Sequence, residues 1–124
     1  MNPAWKKSDG DADWYDEVCQ RLEYLRHNAG KYADPDEVIP EEQFFEDVKE
    51  SVGQLRQQAN FPSIPSPEVW LGPEGDIGLT WDIGERSFDL IFGENRFLAR
   101  LTTGLKQEVI EPSAVPSVLA KLAA

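Results

Sequence analysis

The sequence predicts a two-layer α+β domain. Three observations point there: two segments whose apolar residues recur every three or four positions, a proline-rich connector, and a final stretch where apolar and polar residues alternate between glycine turns. A half-apolar sheet needs a cover and two amphipathic helices need a surface to pack on, so laying one on the other satisfies both. The expected architecture is an N-terminal antiparallel helix pair packed on a four-stranded antiparallel meander, closed by a short C-terminal helix. At this length one domain over 1–124 is expected. Within it, 1–11 is read as a flexible arm, 12–60 as the helical part, 68–102 as the sheet and 112–123 as the last helix.

Trp14, Val18, Leu22 and Leu25 fall at spacings of four, four and three, which places them on one side of a helix over about 12–29. Asp11 or Asp13 suits its N-terminal cap, and Gly30 suits its stop. A loop containing Pro35 leads to Pro40, whose missing amide proton would be unpaired in a first turn anyway. From there Phe45, Val48, Val52 and Leu55 form a second stripe, widened by Phe44, until Phe61-Pro62 interrupts it. The connector Phe61-Pro-Ser-Ile-Pro-Ser-Pro67 resists both helix interiors and central strands.

Four strands are expected after it, at 68–71, 77–82, 86–92 and 96–102. Ile77, Leu79 and Trp81 share one face of the second, and Phe88, Leu90 and Phe92 one face of the third. Phe97, Ala99 and Leu101 continue that face in the fourth. The intervening Pro73-Glu-Gly75, Ile83-Gly-Glu85 and Gly93-Glu-Asn95 carry hairpin chemistry. Val118, Leu119 and Leu122 give the closing helix an apolar edge, with Pro116 in its first turn.

Composition narrows the function. With 23 acidic and 12 basic side chains, the formal net charge is -11, a field that repels phosphate backbones; no Lys or Arg cluster offsets it locally. Direct nucleic-acid binding is not expected, whereas a basic protein surface is a fitting partner. Cys19 is the one cysteine, so no disulfide can form within the chain. The first residues lead into Asp9, Asp11 and Asp13 without an apolar stretch, and no window resembles a membrane span, so cytoplasm is the expected location.

No cluster reaches the standard of an active site. Cys19, Glu23 and His27 lie at i,i+4 spacing on the first helix, but Cys19 and His27 are then about 12 Å apart along its axis, too far to share one ion. The serines have no nucleophile elbow, and the glycines do not form a phosphate loop. Carboxylate pairs such as Glu85 with Asp89 or Asp76 with Asp82 can be drawn, but abundance alone makes them uninformative. No catalytic residue, metal ligand or cofactor is therefore assigned.

The aromatics are more informative. Trp5, Trp14 and Tyr15 cluster near the amino end among acidic residues, a pattern of protein interfaces. On the outer sheet face, Trp70, Ile91, Leu98 and Arg100 form the other candidate contact patch.

Pro73, Gly75, Ile77, Leu79 and Trp81, followed by Phe88-Asp-Leu-Ile-Phe92, resemble a pattern near Pro-x-x-Gly-x-Ile-x-Leu-x-Trp found in small bacterial and phage proteins of uncharacterised function. This chain has one residue fewer between the Pro and the Gly. The resemblance spans about 62–102 and implies a bacterial or phage origin without implying catalytic residues. The leading expectation is a non-enzymatic, acidic protein-binding module, such as an inhibitor, an antitoxin-like partner or a phage-encoded regulator. Its alternatives are a structural homodimer, formed through the first helix or the outer sheet, and a carboxylate-dependent hydrolase.

Overall fold

A computed structural model describes residues 14–32, 38–58 and 65–123. It is α+β: α1 (Trp14–Tyr32) and α2 (Glu42–Gln58) precede β1 (Glu68–Leu71), β2 (Ile77–Ile83), β3 (Arg86–Gly93), β4 (Arg96–Thr103) and β5 (Lys106–Ile110), and a 3-10 turn at Pro112–Ala114 leads into α3 (Val115–Ala123). The expected arm at 1–11 and the cap at Asp11 or Asp13 lie outside the described residues.

The sheet has five strands, not four, in the order β1-β2-β3-β4-β5 with every neighbour antiparallel. The extra strand, β5, exposes its first four residues and buries only Ile110, so it carries no apolar alternation to mark it. Tight turns fix the register of β2 with β3 and of β4 with β5. Gly84 and Gly104 open two-residue turns with φ of 64° and 62°, in the left-handed region that other residues adopt only at a cost.

α1 also differs from expectation, because it runs through Gly30 to Tyr32. Glycine inside a helix costs about 1 kcal/mol relative to alanine, which is not enough to end a helix held by packing on its other residues. In α2, the carbonyl of Glu41 accepts from the amides of Phe44 and Phe45, so Pro40 sits just before the first turn.

The core is the inner sheet face and the two helical stripes laid on it. Trp14, Val18 and Leu22 of α1, Phe45, Val48 and Val52 of α2, and Leu119 and Leu122 of α3 are buried with Ile77, Leu79, Trp81, Phe88 and Leu90. Trp81 occupies the centre at 1% exposure. Its ring meets Trp14 edge-on at 5.5 Å and lies 6.3 Å from Phe88, while its indole N–H donates to the Pro65 carbonyl at 2.8 Å. A buried tryptophan needs a partner for that polar atom, and the connector supplies it.

The helices run antiparallel, as their cross-links require. Tyr15, near the start of α1, donates its hydroxyl to the Lys49 carbonyl at 3.1 Å, whereas Arg26, a few turns later, meets Glu42 at the start of α2. Gly53 makes room for the phenol: a Cβ there would stand 3.0 Å from its oxygen. Burial, followed by its bond with the Cys19 thiol, pushes the Tyr15 phenol up to about 12.

Between those contacts, Glu23 receives Arg26 at 2.6 Å and also bonds Lys49 of α2. These bonds, first from Arg26 and then from Lys49, hold the Glu23 carboxyl at about 2 instead of 4.5.

Two measurements test this frame. Trp81→Ala should lower unfolding free energy by about 3–5 kcal/mol, read as an earlier urea midpoint at unchanged slope. Because folding depresses the Glu23 pKa, the clamp contributes fully above about 4.5 and is lost as pH falls through about 2. The stability gap between the parent chain and Glu23→Gln, followed by thermal melts, should accordingly close over that window and stay open towards neutral pH.

Candidate functional site

Among the described residues, two surfaces outside the core carry candidate contact residues. The first is the sheet face turned away from the helices. Strand registers place Trp70, Gly78, Ile91 and Leu98 in one row across β1 to β4, and Glu68, Thr80, Asp89, Arg100 and Val109 in the next. Trp70, Ile91, Leu98 and Arg100 therefore share this face, which strand alternation alone had suggested.

Trp70 lies over Gly78, where a Cβ would fall inside the indole's van der Waals surface. Its N–H donates to Thr80 Oγ1 at 2.9 Å, and the Thr80 hydroxyl donates to Asp89 Oδ1 at 2.7 Å. Arg100 completes the series by donating Nε and Nη2 to Asp89 Oδ2 at 3.2 and 3.1 Å. This relay crosses four strands and engages both carboxylate oxygens. It braces the indole flat, and Val109 stands well exposed (70%) at the end of the second row.

The amino-terminal aromatics do not join this patch. Trp14 is only 4% exposed and packs on Trp81, because it begins the same i,i+4 stripe as Val18 and Leu22. Tyr15 is half-buried between the helices, bonded to Lys49. Trp5 lies outside the described residues.

The second surface was not anticipated. Between α2, the β3–β4 hairpin and the start of α3 lies an open groove of about 630 Å³. Its floor is made of buried Val48, Leu90 and Val115, and its walls of Phe44, Leu55, Phe92 and Phe97. Phe97 had been expected in the core; it is instead 37% exposed and leans on Phe92 at 5.1 Å, because no helix among the described residues covers that end of the sheet. Two aromatics beyond what the core stripe required, Phe44 and Phe97, were the available signal.

Charge is distributed unevenly around the groove. Glu42, Glu46, Asp47 and Glu50 are all exposed along α2, and Asp47 lines the groove itself. Lys49, in the middle of this run, turns inward to Glu23 and Glu46, leaving its side chain 18% exposed. On the opposite wall Arg96 is tied to Asp76, with 3.0 and 2.8 Å to its two oxygens.

The carboxylates proposed as pairs sit in separate bonds. Asp76 holds Arg96, Asp82 accepts from Ser87 at 2.7 Å, and Asp89 holds Arg100 and Thr80. On α1, Glu23 is engaged as described, and His27 is largely exposed with its Nε2 3.8 Å from Glu23. Among the described residues, no group of three or more His, Cys, Asp or Glu is placed to hold a metal ion, and no helix is long and apolar enough to cross a membrane.

The brace on the outer face has a direct test. Gly78→Ala should displace the Trp70 ring and lower stability by about 1–3 kcal/mol through overpacking. Its tryptophan emission should shift to the red, and the same substitution in a Trp70→Phe background should produce little spectral change. Compared with protein-family models, with curated proteins and with solved structures, the chain finds no match in any of the three.

Proposed function

We propose that this chain is a non-enzymatic binding module for a basic protein, with the groove beside α2 as its contact site. One observation carries the reading: an apolar trough walled by Phe44, Phe92 and Phe97 is lined by exposed Asp47 of α2, a helix that also exposes Glu42, Glu46 and Glu50. Aromatic walls give an apolar side chain of the partner a place to enter, and the acidic flank selects a basic surface around it. Such a division supports an inhibitor, an antitoxin-like protein or a phage-encoded regulator acting in the cytoplasm.

The chemistry of the described residues favours binding over turnover. Asp76, Asp82 and Asp89 are each committed to a neighbouring donor, which suits bracing more than proton transfer.

Immobilised protein should retain a stoichiometric basic partner from a lysate of its source at low salt and release it as salt rises. Asp47→Lys combined with Glu50→Lys, both exposed positions, should lose that partner while melting like the parent. Recovery of no stoichiometric protein, or equal retention by the reversed variant, would count against the proposal.

A further inference from the structure

The two edges of the sheet are not alike. β1 is flanked by α1 and by Val38 and Ile39, with the Val38 amide bonded to the Pro73 carbonyl at 2.9 Å. β5 pairs with β4 on one side, and among the described residues no strand pairs with the other. Lys106, Gln107, Glu108 and Val109 are all exposed, and Leu105 at the preceding turn is fully so.

The backbone of this edge can be followed residue by residue. A two-residue turn closes on the pair Thr103 and Lys106, so Lys106 directs its amide and carbonyl to β4. Alternation along an antiparallel strand then turns Glu108 and Ile110 to β4 as well, and leaves Gln107 and Val109 with donors and acceptors directed outward. Those outward groups need water or another strand.

We infer that β5 pairs antiparallel with β5 of a second copy, about a two-fold axis at Gln107. In this register the two Gln107 residues exchange backbone bonds, each Lys106 faces the other copy's Glu108, and each Leu105 faces the other copy's Val109. The Lys–Glu pairs occupy non-hydrogen-bonded positions, where opposed side chains approach most closely. A register centred on Glu108 would oppose two carboxylates and require an amide already given to β4. One centred on Val109 would set each Lys106 opposite Pro112 and each Glu108 opposite Ile110, so that no lysine faces a carboxylate. Of the three registers, the one centred on Gln107 uses outward backbone groups and also sets each lysine opposite a carboxylate. The axis stands perpendicular to the sheet, so both helical layers stay on one face of a continuous ten-stranded sheet.

This edge lies apart from the α2 groove, so its failure leaves the binding proposal intact. The interface is small, and the dimer is weak. Sedimentation velocity on the full chain from micromolar to millimolar concentration should show a reversible monomer–dimer equilibrium. Lys106→Glu and Glu108→Lys should each raise the midpoint concentration about tenfold, and their combination should restore it. Gln107→Pro removes an outward amide only and should abolish the dimer, with circular dichroism confirming the parent fold. A chain monomeric throughout that range overturns the inference, as does a dimer indifferent to both single reversals.

Discussion

The edge-on contact between Trp14 and Trp81 joins the first turn of α1 to the middle of β2, and the rest of the structure is arranged around it. A large ring at the centre of a sheet face can be buried only if something of comparable size meets it, and Trp14 does so from the helix layer. The indole N–H then dictates where the chain must enter the sheet, because the Pro65 carbonyl that accepts it immediately precedes β1. Phe88, opposite Trp81 on β3, extends the same apolar surface to the next strand. Helix placement, strand entry and core composition thus follow from one buried aromatic centre.

With most of the inner face turned to the helices, the outer face is stabilised without a second layer among the described residues. The Trp70–Thr80–Asp89–Arg100 relay does this by linking side chains across four strands: Thr80, Asp89 and Arg100 are register partners, and Trp70 reaches Thr80 diagonally from the neighbouring row. Gly78 is part of the same solution, since only the absence of a side chain lets the indole lie against the sheet. The row that resembled a contact patch is therefore also a structural brace. Leu98 of that patch and Val109 beside Arg100 are exposed, whereas Asp89 and Thr80 are occupied.

Most of the architecture was legible because burial imposes a period. The stripes of α1 and α2 and the alternation at 77–81 and 88–92 mark faces that must turn inward, and all their members are buried in the core or packed against it, with Leu25, Leu55 and Phe92 only partly covered. β5 left no such trace: an edge strand exposed on both faces has no reason to alternate. Trp14 was misplaced because its acidic neighbours suggested a surface, although its own spacing to Val18 and Leu22 put it on the buried stripe. For Phe97, alternation gave the correct side of the strand. Whether a helix covers that end of the sheet depends on tertiary placement, which no local period encodes, and among the described residues none does.

Ion pairing connects the fold to the field it presents. Arg26 and Lys49 are drawn to Glu23 between the helices, Arg96 to Asp76, and Arg100 to Asp89. Each pair removes a cation from the surface field along with the carboxylate it serves. The chain has nearly twice as many acidic as basic side chains, and among the described residues Glu42, Glu46, Asp47 and Glu50 of α2 all face solvent. On α2 this separation is sharpest, because its central lysine points inward while the carboxylates around it remain outside. At physiological salt the field of such a face is screened beyond about 8 Å, so it acts on a partner already close to the groove. The clamp that ties α1 to α2 and the acidic flank that borders the groove are consequences of the same side-chain arrangement.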